Sequence, residues 1–200
     1  MKSTTEVQIE TYNLELLETL GYGYLHGPDI APEGSPSPDN ASPFRVRDTT
    51  NAPYLSPIKR TSFSDVILRD RLSKALARIN PHIPTEQRQQ AQRELQNIAS
   101  PDLITNNETF HRYLTEGITV EYQRDGENGY ETKGEQLWLI DWENPENNNF
   151  LAVNHFTIIE DNHNRRPDII LFINGIPLVV IELKNATDAK ASLQAAYNQL

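Results

Sequence analysis

The stretch that decides the fold is Arg165–Ala186, RRPDIILFINGIPLVVIELKNA. Two apolar runs flank Asn174-Gly175, a dipeptide typical of the tight turn between antiparallel strands. The runs are apolar at successive positions, as in strands that are covered on both faces. Yet Asp168 opens the first run, and Glu182 and Lys184 lie in the second. Because burying charged groups without partners is costly, these three side chains need an explanation.

The register of this hairpin decides whether the charged side chains can meet. A regular two-residue Asn-Gly turn pairs Ile173 with Ile176, and it points Asp168 and Glu182 to opposite faces. A bulge, or a three-residue turn that pairs Phe172 with Ile176, brings the two acids and the lysine onto one face. The proline that follows the turn cannot donate to the ladder, which makes an irregular register easy to accept. We therefore predict a bulge or a three-residue turn here.

On a shared face, the three side chains are suited to metal-dependent hydrolysis. Phosphodiester hydrolysis needs a divalent ion that polarises a phosphoryl oxygen and lowers the pKa of an attacking water. Mg²⁺ typically takes one or two carboxylates together with waters and the substrate phosphate, and Asp168 and Glu182 could supply the carboxylates. Lys184 could position the water or neutralise charge that develops on the phosphate. The alternative is a buried structural ion pair, Asp168–Lys184 or Glu182–Lys184.

Composition fits a mixed α/β domain without a membrane segment. The 200 residues are 37% hydrophobic and 23% charged, and no apolar run approaches the ~20 residues of a membrane helix. The N-terminus, MKSTTEVQIE, has no apolar signal-peptide core. The absence of cysteine excludes a disulfide scaffold and fits a cytoplasmic location. Eighteen basic against 28 acidic residues give a net charge of −10, which argues against binding nucleic acid by charge alone.

Hydrophobic periodicity predicts helices in the first half of the chain and strands in the second. A capping-box pattern at Ser3–Glu6 starts a helix that Gly21 ends. Further helices are predicted over 63–79, 85–99 (with Thr85 as cap) and 108–114, and strands over 118–124, 135–141 and 151–160. Residues 28–58 contain seven of the 13 prolines and form an irregular excursion. A last helix, Asp188–Leu200, has no cap, as expected for a fragment of a longer protein.

The spacing Pro167-Asp168 … Glu182-Leu183-Lys184 is the PD-(D/E)xK nuclease pattern. The surrounding stretches sharpen the match: LIDWENPENNNFLAVNHFTIIE, VILRDRLSKALARINPHIP and TEVQIETYNLELLETLGYGYL. Over nearly its whole length the chain resembles the N-terminal region of the R (restriction) subunit of type I restriction-modification enzymes. The resemblance implies one endonuclease domain over 1–200, with an α/β restriction-endonuclease-like fold in which helices flank a mixed β-sheet.

The resemblance also implies a cofactor and partners. We expect Mg²⁺, or Mn²⁺, at Asp168 and Glu182, with double-stranded DNA as the substrate. The partners would be the methylation (M) and specificity (S) subunits of a cytoplasmic complex. ATP would bind only in downstream motor domains, since Gly129 and Gly134 are followed by Glu135 and not by the lysine of a P-loop.

Four further positions are weaker candidates. Arg165 and Arg166 could contact a DNA phosphate, or they could form a solvated turn that balances nearby acids. Glu10 is the acid on the first helix that nucleases of this fold would aim at the metal, although a solvated helix face is the safer interpretation. Gln199 falls where the family has the glutamine of its Gln-x-x-x-Tyr motif. His155 stands where we expect a glutamine in the family.

Two function classes therefore remain open. The first is the nuclease domain of a restriction subunit, which cuts DNA after ATP-driven translocation by other domains. The second is a catalytically silent docking module that joins the motor to the methylation and specificity subunits. The acidic charge favours docking for these residues alone, whereas the Asp…Glu-x-Lys set favours the nuclease.

Overall fold

The computed structural model describes residues 5–34, 59–98, 100–126, 129–161, 163–184 and 197. The chain divides into two compact units, one formed by Met1–Leu68 with Asn149–Leu200 and the other by Arg69–Asn148. Most of the predicted excursion over 28–58 lies outside the described residues, as does the predicted last helix apart from Tyr197. No helix in the described part of the chain is both long and apolar enough to span a membrane.

The elements of the second unit form one continuous block in the sequence, with elements of the first unit before and after it. In order, the helices and strands are α1 (Glu6–Thr19), β1 (Gly23–His26), α2 (Arg69–Ile79), α3 (Thr85–Gln96), α4 (Leu103–Glu116), β2 (Ile118–Gly126), β3 (Gly129–Leu137), β4 (Phe150–Asn154), β5 (Ile158–Glu160), β6 (His163–Arg165), β7 (Ile169–Ile173) and β8 (Ile176–Ile181). Short 3₁₀ helices occupy Gly27–Ile30 and Pro145–Asn147.

The first unit is built on a four-stranded sheet with the order β1-β4-β7-β8. Strand β1 runs parallel to β4, while the β4–β7 and β7–β8 pairs are antiparallel. The sheet is therefore mixed, and the predicted α/β restriction-endonuclease-like fold is confirmed. Strand β1 was not predicted, because its four residues are all buried and show no alternation.

Each face of this sheet has its own apolar core. One core contains Leu25, Leu151, Val153, Phe156, Ile170 and Phe172. The other contains Tyr24, Ala152 and Ile169, and Leu14 of α1 packs there. Because both faces are covered, the β7–β8 hairpin can be apolar at successive positions, as its sequence indicated.

The N-cap of helix α1 lies two residues later than predicted. Thr5 is the N-cap: its side chain accepts from the amide of Gln8 at 3.3 Å, and the Gln8 side chain accepts from the amide of Thr5 at 3.0 Å. The predicted box at Ser3–Glu6 is therefore wrong, since the chain offers a second Thr-x-x-Gln box at the point where the backbone turns helical. Gly21, with φ 92°, follows the helix end as predicted.

The predicted helix over 63–79 begins only at Arg69. Arg60 is buried, and its guanidinium donates to the carbonyl oxygens of Phe63 at 3.4 Å and Asp65 at 3.3 Å. These carbonyls are turned toward a side chain instead of a following helical turn. The buried arginine therefore holds residues 63–68 in an irregular path despite their helical hydrophobic pattern.

Helix boundaries in the second unit differ from prediction at two caps. Helix α3 has Pro84 as its N-cap, so that Thr85 is the first helical residue and not the predicted cap. Helix α4 is longer than predicted because Asp102 caps it, accepting from the amides of Ile104 and Thr105 at 3.2 Å. Gly117 ends α4 with φ 77°, as expected.

Two predicted strands end earlier than expected. The strand predicted over 135–141 ends at Leu137, because the buried Asn80 side chain bonds both the amide and the carbonyl of Trp138 at 2.8 Å. The strand predicted over 151–160 is broken by His155, whose φ of 51° lies in the left-handed region. This break turns the chain at the end of β4, close to the candidate site.

Candidate functional site

The β7–β8 hairpin has a two-residue turn and a bulge. Asn174 and Gly175 have φ values of 54° and 82°, and Ile173 pairs with Ile176. The alternative three-residue turn, with Phe172 opposite Ile176, is therefore wrong. The register shifts further along, where Phe172 pairs with Pro177 but Leu171 pairs with Val179. Leu178 is the extra residue, and the predicted bulge is confirmed.

The turn is fixed from outside the hairpin. Asn174 is fully buried, and its amide donates to the carbonyl of Asn149 at 2.8 Å, while its side-chain oxygen accepts from the amide of Asn149 at 2.8 Å. The amide of Leu68 donates to the carbonyl of Gly175 at 2.9 Å. These contacts explain how a turn with two left-handed residues is held in the interior.

The bulge determines which residues lie opposite each other at the end of the hairpin away from the turn. The last ladder pair is Ile169 with Ile181, so the next step places Asp168 across from Glu182. The amide of Leu183 donates to Oδ2 of Asp168 at 2.6 Å, which joins the two chain segments beyond the ladder. The hairpin therefore has the register that the predicted site requires.

Glu182 and Lys184 form an ion pair within this end of the hairpin. Nζ of Lys184 lies 3.1 Å from Oε1 of Glu182, and the Glu182 side chain is only 7% exposed. The structural ion pair considered as an alternative is thus present. Since Lys184 pairs with Glu182, the donor that the structure describes for the Asp168 carboxylate is the backbone amide of Leu183. Burial, with the charges of Glu182 and Glu10, raises the pKa of Asp168 above its usual range, and the Leu183 amide and Lys184 offset only part of that rise.

Glu10 of α1 is part of the same environment. Nδ2 of Asn154 donates to its Oε1 at 2.6 Å, and Nε2 of His155 lies 3.3 Å from its Oε2. The Glu10 side chain is 14% exposed, so the solvated helix face that we expected is wrong. Burial acts to raise the pKa of Glu10, but the hydrogen bonds from His155 and Asn154 outweigh it, and the pKa lies below its usual value.

Arg165 and Arg166 are exposed beside this end of the sheet. Within the described part of the chain, neither arginine forms an ion pair, so the predicted balance with Glu160 and Asp161 is not made. Their charges therefore face solvent. Gln199 lies outside the described residues.

The family was then identified by comparison with known proteins. The family described as "Type I restriction enzyme R protein N terminus" matches residues 3–200. The chain belongs to this family. It is 33% identical over 195 residues to the type I restriction enzyme HindI endonuclease subunit of Haemophilus influenzae, which covers 97% of this chain and 16% of that subunit. It is 30% identical over 187 residues to the putative type I restriction enzyme MjaIXP endonuclease subunit of Methanocaldococcus jannaschii. This match covers 92% of this chain and 15% of that subunit.

This restriction-subunit N-terminal region spans about a sixth of the length of those relatives. A third relative, the putative MjaVIIIP endonuclease subunit of the same archaeon, is 33% identical over 144 residues, or 70% of this chain and 13% of that subunit. The predicted resemblance is confirmed.

The carboxylates at the end of the hairpin suit a hard divalent cation, although they do not form a closed set of ligands around one. Among the described residues, no three His, Asp or Glu side chains converge as a ready-made metal cage. The Asp168 carboxylate nevertheless lies near those of Glu182 and Glu10, and Lys184 pairs with Glu182. Burial is the main cause of the raised pKa of Asp168, and the charges of Glu182 and Glu10 add to it. Carboxylate oxygens with room for water are the ligands that Mg²⁺ prefers, so the residues fit that ion.

Sequence reasoning missed the groups behind Glu10. The spacing of His26 and His155 matches no metal motif, so the sequence does not mark either histidine as part of a site. In the structure, Asn154 accepts from the hydroxyl of Tyr24 at 2.8 Å and bonds Nδ1 of His26 at 2.9 Å through its side-chain oxygen. A buried Asn at the end of an apolar strand was the available signal, since buried amides are nearly always hydrogen-bonded.

Proposed function

We propose that residues 1–200 are the metal-dependent endonuclease domain of a type I restriction enzyme R subunit, with double-stranded DNA as the substrate. The observation that carries this proposal is the bulge at Leu178, which sets Asp168 across from Glu182 at the end of the hairpin. Membership of the restriction-subunit family supports the same conclusion.

The proposed roles follow from the placement of the side chains. Asp168 and Glu182 would hold Mg²⁺ or Mn²⁺, which when bound polarises a phosphoryl oxygen and lowers the pKa of an attacking water. Lys184, paired with Glu182, stabilises negative charge that develops on the phosphate. Glu10 adds a third carboxylate. Arg165 and Arg166 would contact neighbouring DNA phosphates, which their exposure and their lack of ion pairs among the described residues support.

The remaining steps of restriction lie outside these residues. ATP-driven translocation would be the task of motor domains elsewhere in a subunit about six times as long, as in the relatives. The methylation and specificity subunits would supply recognition of the DNA sequence in a cytoplasmic complex. With a net charge of −10, the domain depends on those partners to retain DNA.

A docking module is the second candidate, and the net charge favours it. A domain with 28 acidic and 18 basic residues is repelled by DNA, as a module that binds only protein subunits would be. This candidate predicts that Asp168 and Glu182 can be replaced without affecting cleavage. The nuclease proposal predicts the opposite.

Substitution in the complete enzyme complex tests the proposal. Asp168→Asn and Glu182→Gln should each abolish DNA cleavage and leave ATP hydrolysis intact, because the motor lies in other domains. Glu121→Gln, which neutralises an exposed acid of β2, is the matched control and should cleave normally. Cleavage that survives either replacement in the hairpin would make the nuclease assignment wrong.

A further inference from the structure

We propose that Asn154 and His155 are positioning residues that hold the Glu10 carboxylate toward Asp168 and thereby set the affinity of the site for its divalent cation. This inference rests on the proposed nuclease function. It assigns a role to the Asn-His pair at the end of β4, where the sequence alone left the histidine unexplained.

The orientation of the Asn154 side chain is fixed by two donors. The hydroxyl of Tyr24, at 2.8 Å, and Nδ1 of His26, at 2.9 Å, both approach its Oδ1. All three residues are at least 95% buried, so water does not compete for these bonds. The amide nitrogen must therefore face the other way, where it donates to Oε1 of Glu10 at 2.6 Å. Strands β1 and β4 thus fix one oxygen of an acid that belongs to α1.

His155 fixes the other oxygen and connects it to the catalytic hairpin. Its Nε2 lies 3.3 Å from Oε2 of Glu10, while its backbone amide donates to the carbonyl oxygen of Asp168 at 3.1 Å. One residue therefore contacts Glu10 through its side chain and Asp168 through its backbone. The left-handed φ of 51° at His155 is what lets both contacts form at the point where β4 ends.

The backbone beneath these contacts has little freedom to move. A Cβ atom on Gly27 would lie 2.5 Å from the carbonyl oxygen of His155 and 2.7 Å from that of Asn154. The 3₁₀ helix that begins at Gly27 thus abuts residues 154–155 directly. The two donors are held against Glu10 by strand pairing on one side and by this close backbone approach on the other.

Both hydrogen bonds favour an ionised Glu10 with its oxygens in a defined place. Each carboxylate oxygen accepts one bond from these donors and keeps a further lone pair for a cation. A carboxylate that is already ordered loses less conformational entropy when a cation binds. Since outer contacts of this kind commonly change metal affinity by about 10- to 100-fold, the loss of the His155 donor should be measurable.

The test measures Mn²⁺ binding directly. The complete restriction subunit, free of nucleotide and DNA, is titrated with Mn²⁺ while paramagnetic resonance reports the free ion. His155→Leu should raise the dissociation constant about tenfold or more. His155→Gln, which retains an N–H donor of similar reach, should restore most of the affinity. His111→Leu, at an exposed histidine of α4, is the matched control.

A double substitution shows whether His155 acts through Glu10. In a Glu10→Gln background, His155→Leu should cause no further loss of Mn²⁺ affinity, because the carboxylate it positions is gone. Thermal unfolding without metal accompanies every variant, and His155→Ala replaces His155→Leu if the leucine variant does not fold. In cleavage assays with the complete complex, the Mg²⁺ concentration that gives the half-maximal rate should rank the variants in the same order as their Mn²⁺ affinities.

The outcomes separate this inference from the function on which it rests. Unchanged Mn²⁺ affinity in His155→Leu, or an equal loss with and without the Glu10 carboxylate, would overturn the positioning role alone, provided that Asp168→Asn abolishes binding and cleavage. An Asp168→Asn protein that binds Mn²⁺ and cuts DNA like the wild type would overturn the proposed nuclease itself.

Discussion

The backbone amide of Leu183 donates a 2.6 Å hydrogen bond to the Asp168 carboxylate. This single contact fixes the acid that precedes β7 against the segment that follows β8 and carries Glu182 and Lys184. Because a backbone amide cannot be lost by side-chain substitution, the position of Asp168 depends on the register of the hairpin. The cost of burying the Asp168 carboxylate and the contacts that hold the site can both be tested by substitution.

Asp168→Asn should stabilise the fold while it abolishes cleavage. The folded-state pKa of Asp168 is raised, chiefly by burial, so its ionised form destabilises the protein at neutral pH. The gain from Asn should be less than about 1 kcal/mol, because solvent screens this half-exposed group. It should vanish as the pH falls through the folded-state pKa to below the pKa of an aspartate in the unfolded chain. Denaturant unfolding with a chelator at pH 7.5 and pH 4 measures the difference.

An exposed acid provides the control for this pH dependence. Asp125→Asn, which removes an exposed carboxylate from β2, is the matched substitution measured under the same conditions. If Asp168→Asn lowers stability at pH 7.5, burial and the neighbouring negative charges do not destabilise the ionised Asp168 as the structure indicates.

Arg165 and Arg166 should contribute to DNA binding through charge alone. If both contact phosphates, replacing them with alanine should lower the slope of log affinity against log salt by about two units. Replacing Arg93 and Arg112, two exposed arginines of the second unit, should leave the slope unchanged. Lys184→Ala should abolish cleavage but barely alter affinity, since it acts on the reacting phosphate. Filter binding across a salt series, with a cleavage assay, distinguishes these roles.

Gly27→Ala should destabilise the first unit and weaken the site together. The new Cβ would meet two carbonyl oxygens at 2.5 and 2.7 Å, so the backbone at residues 154–155 must shift. We expect a loss of about 1–3 kcal/mol in the free energy of unfolding, measured by denaturant titration. Gly134→Ala is the control, since a Cβ at that exposed position in β3 meets nothing within 4 Å. A Gly27→Ala variant as stable as the wild type would mean that this contact is not tight in solution.

Acid should weaken the turn around Asp141 in the second unit. Its pKa is lowered by hydrogen bonds from the Asn147 side chain and the Asn144 amide. The ionised form therefore stabilises the fold above the unfolded-state pKa, and this contribution is lost as the pH falls through the folded-state pKa. Asp141→Asn should flatten the acid limb of the unfolding curve. An acid limb identical to that of the wild type would contradict the hydrogen-bonded turn.

The sequence predicted the hairpin and its charged residues because those signals are local. The Asn-Gly turn, two apolar runs and three charged positions lie within 22 residues, so their interpretation needs no information from distant parts of the chain. The need for a bulge also followed from counting residues. Its place at Leu178 did not, because the pairs on either side of it are all apolar and the pattern does not distinguish them.

The rest of the site depends on contacts between distant parts of the chain. The hydrogen bond between Glu10 and Asn154 spans 144 residues, and the pair of His26 with Asn154 spans 128. Nothing in the composition of α1 distinguishes Glu10 from its solvated neighbours, so the usual exposure of glutamate favoured a solvated position. Likewise, the late start of α2 depends on the buried guanidinium of Arg60, which overrides a hydrophobic pattern that is helical in itself.

The bulge at Leu178 makes the register of strand β8 a determinant of its chemistry. Both sheet faces accept apolar side chains, so a strand of the same length could still pack without the bulge, with each residue beyond Leu178 moved to the other side. A regular ladder would then put Glu182 and Lys184 on the face opposite Asp168 while every charged residue remained in the chain, whereas deleting Leu178 together with the bulge would keep Asp168 across from Glu182. A homologue could thus lose its activity through a change of register that a search for motif letters would miss. Comparisons between relatives should therefore count the residues between turn and motif as carefully as they read the motif.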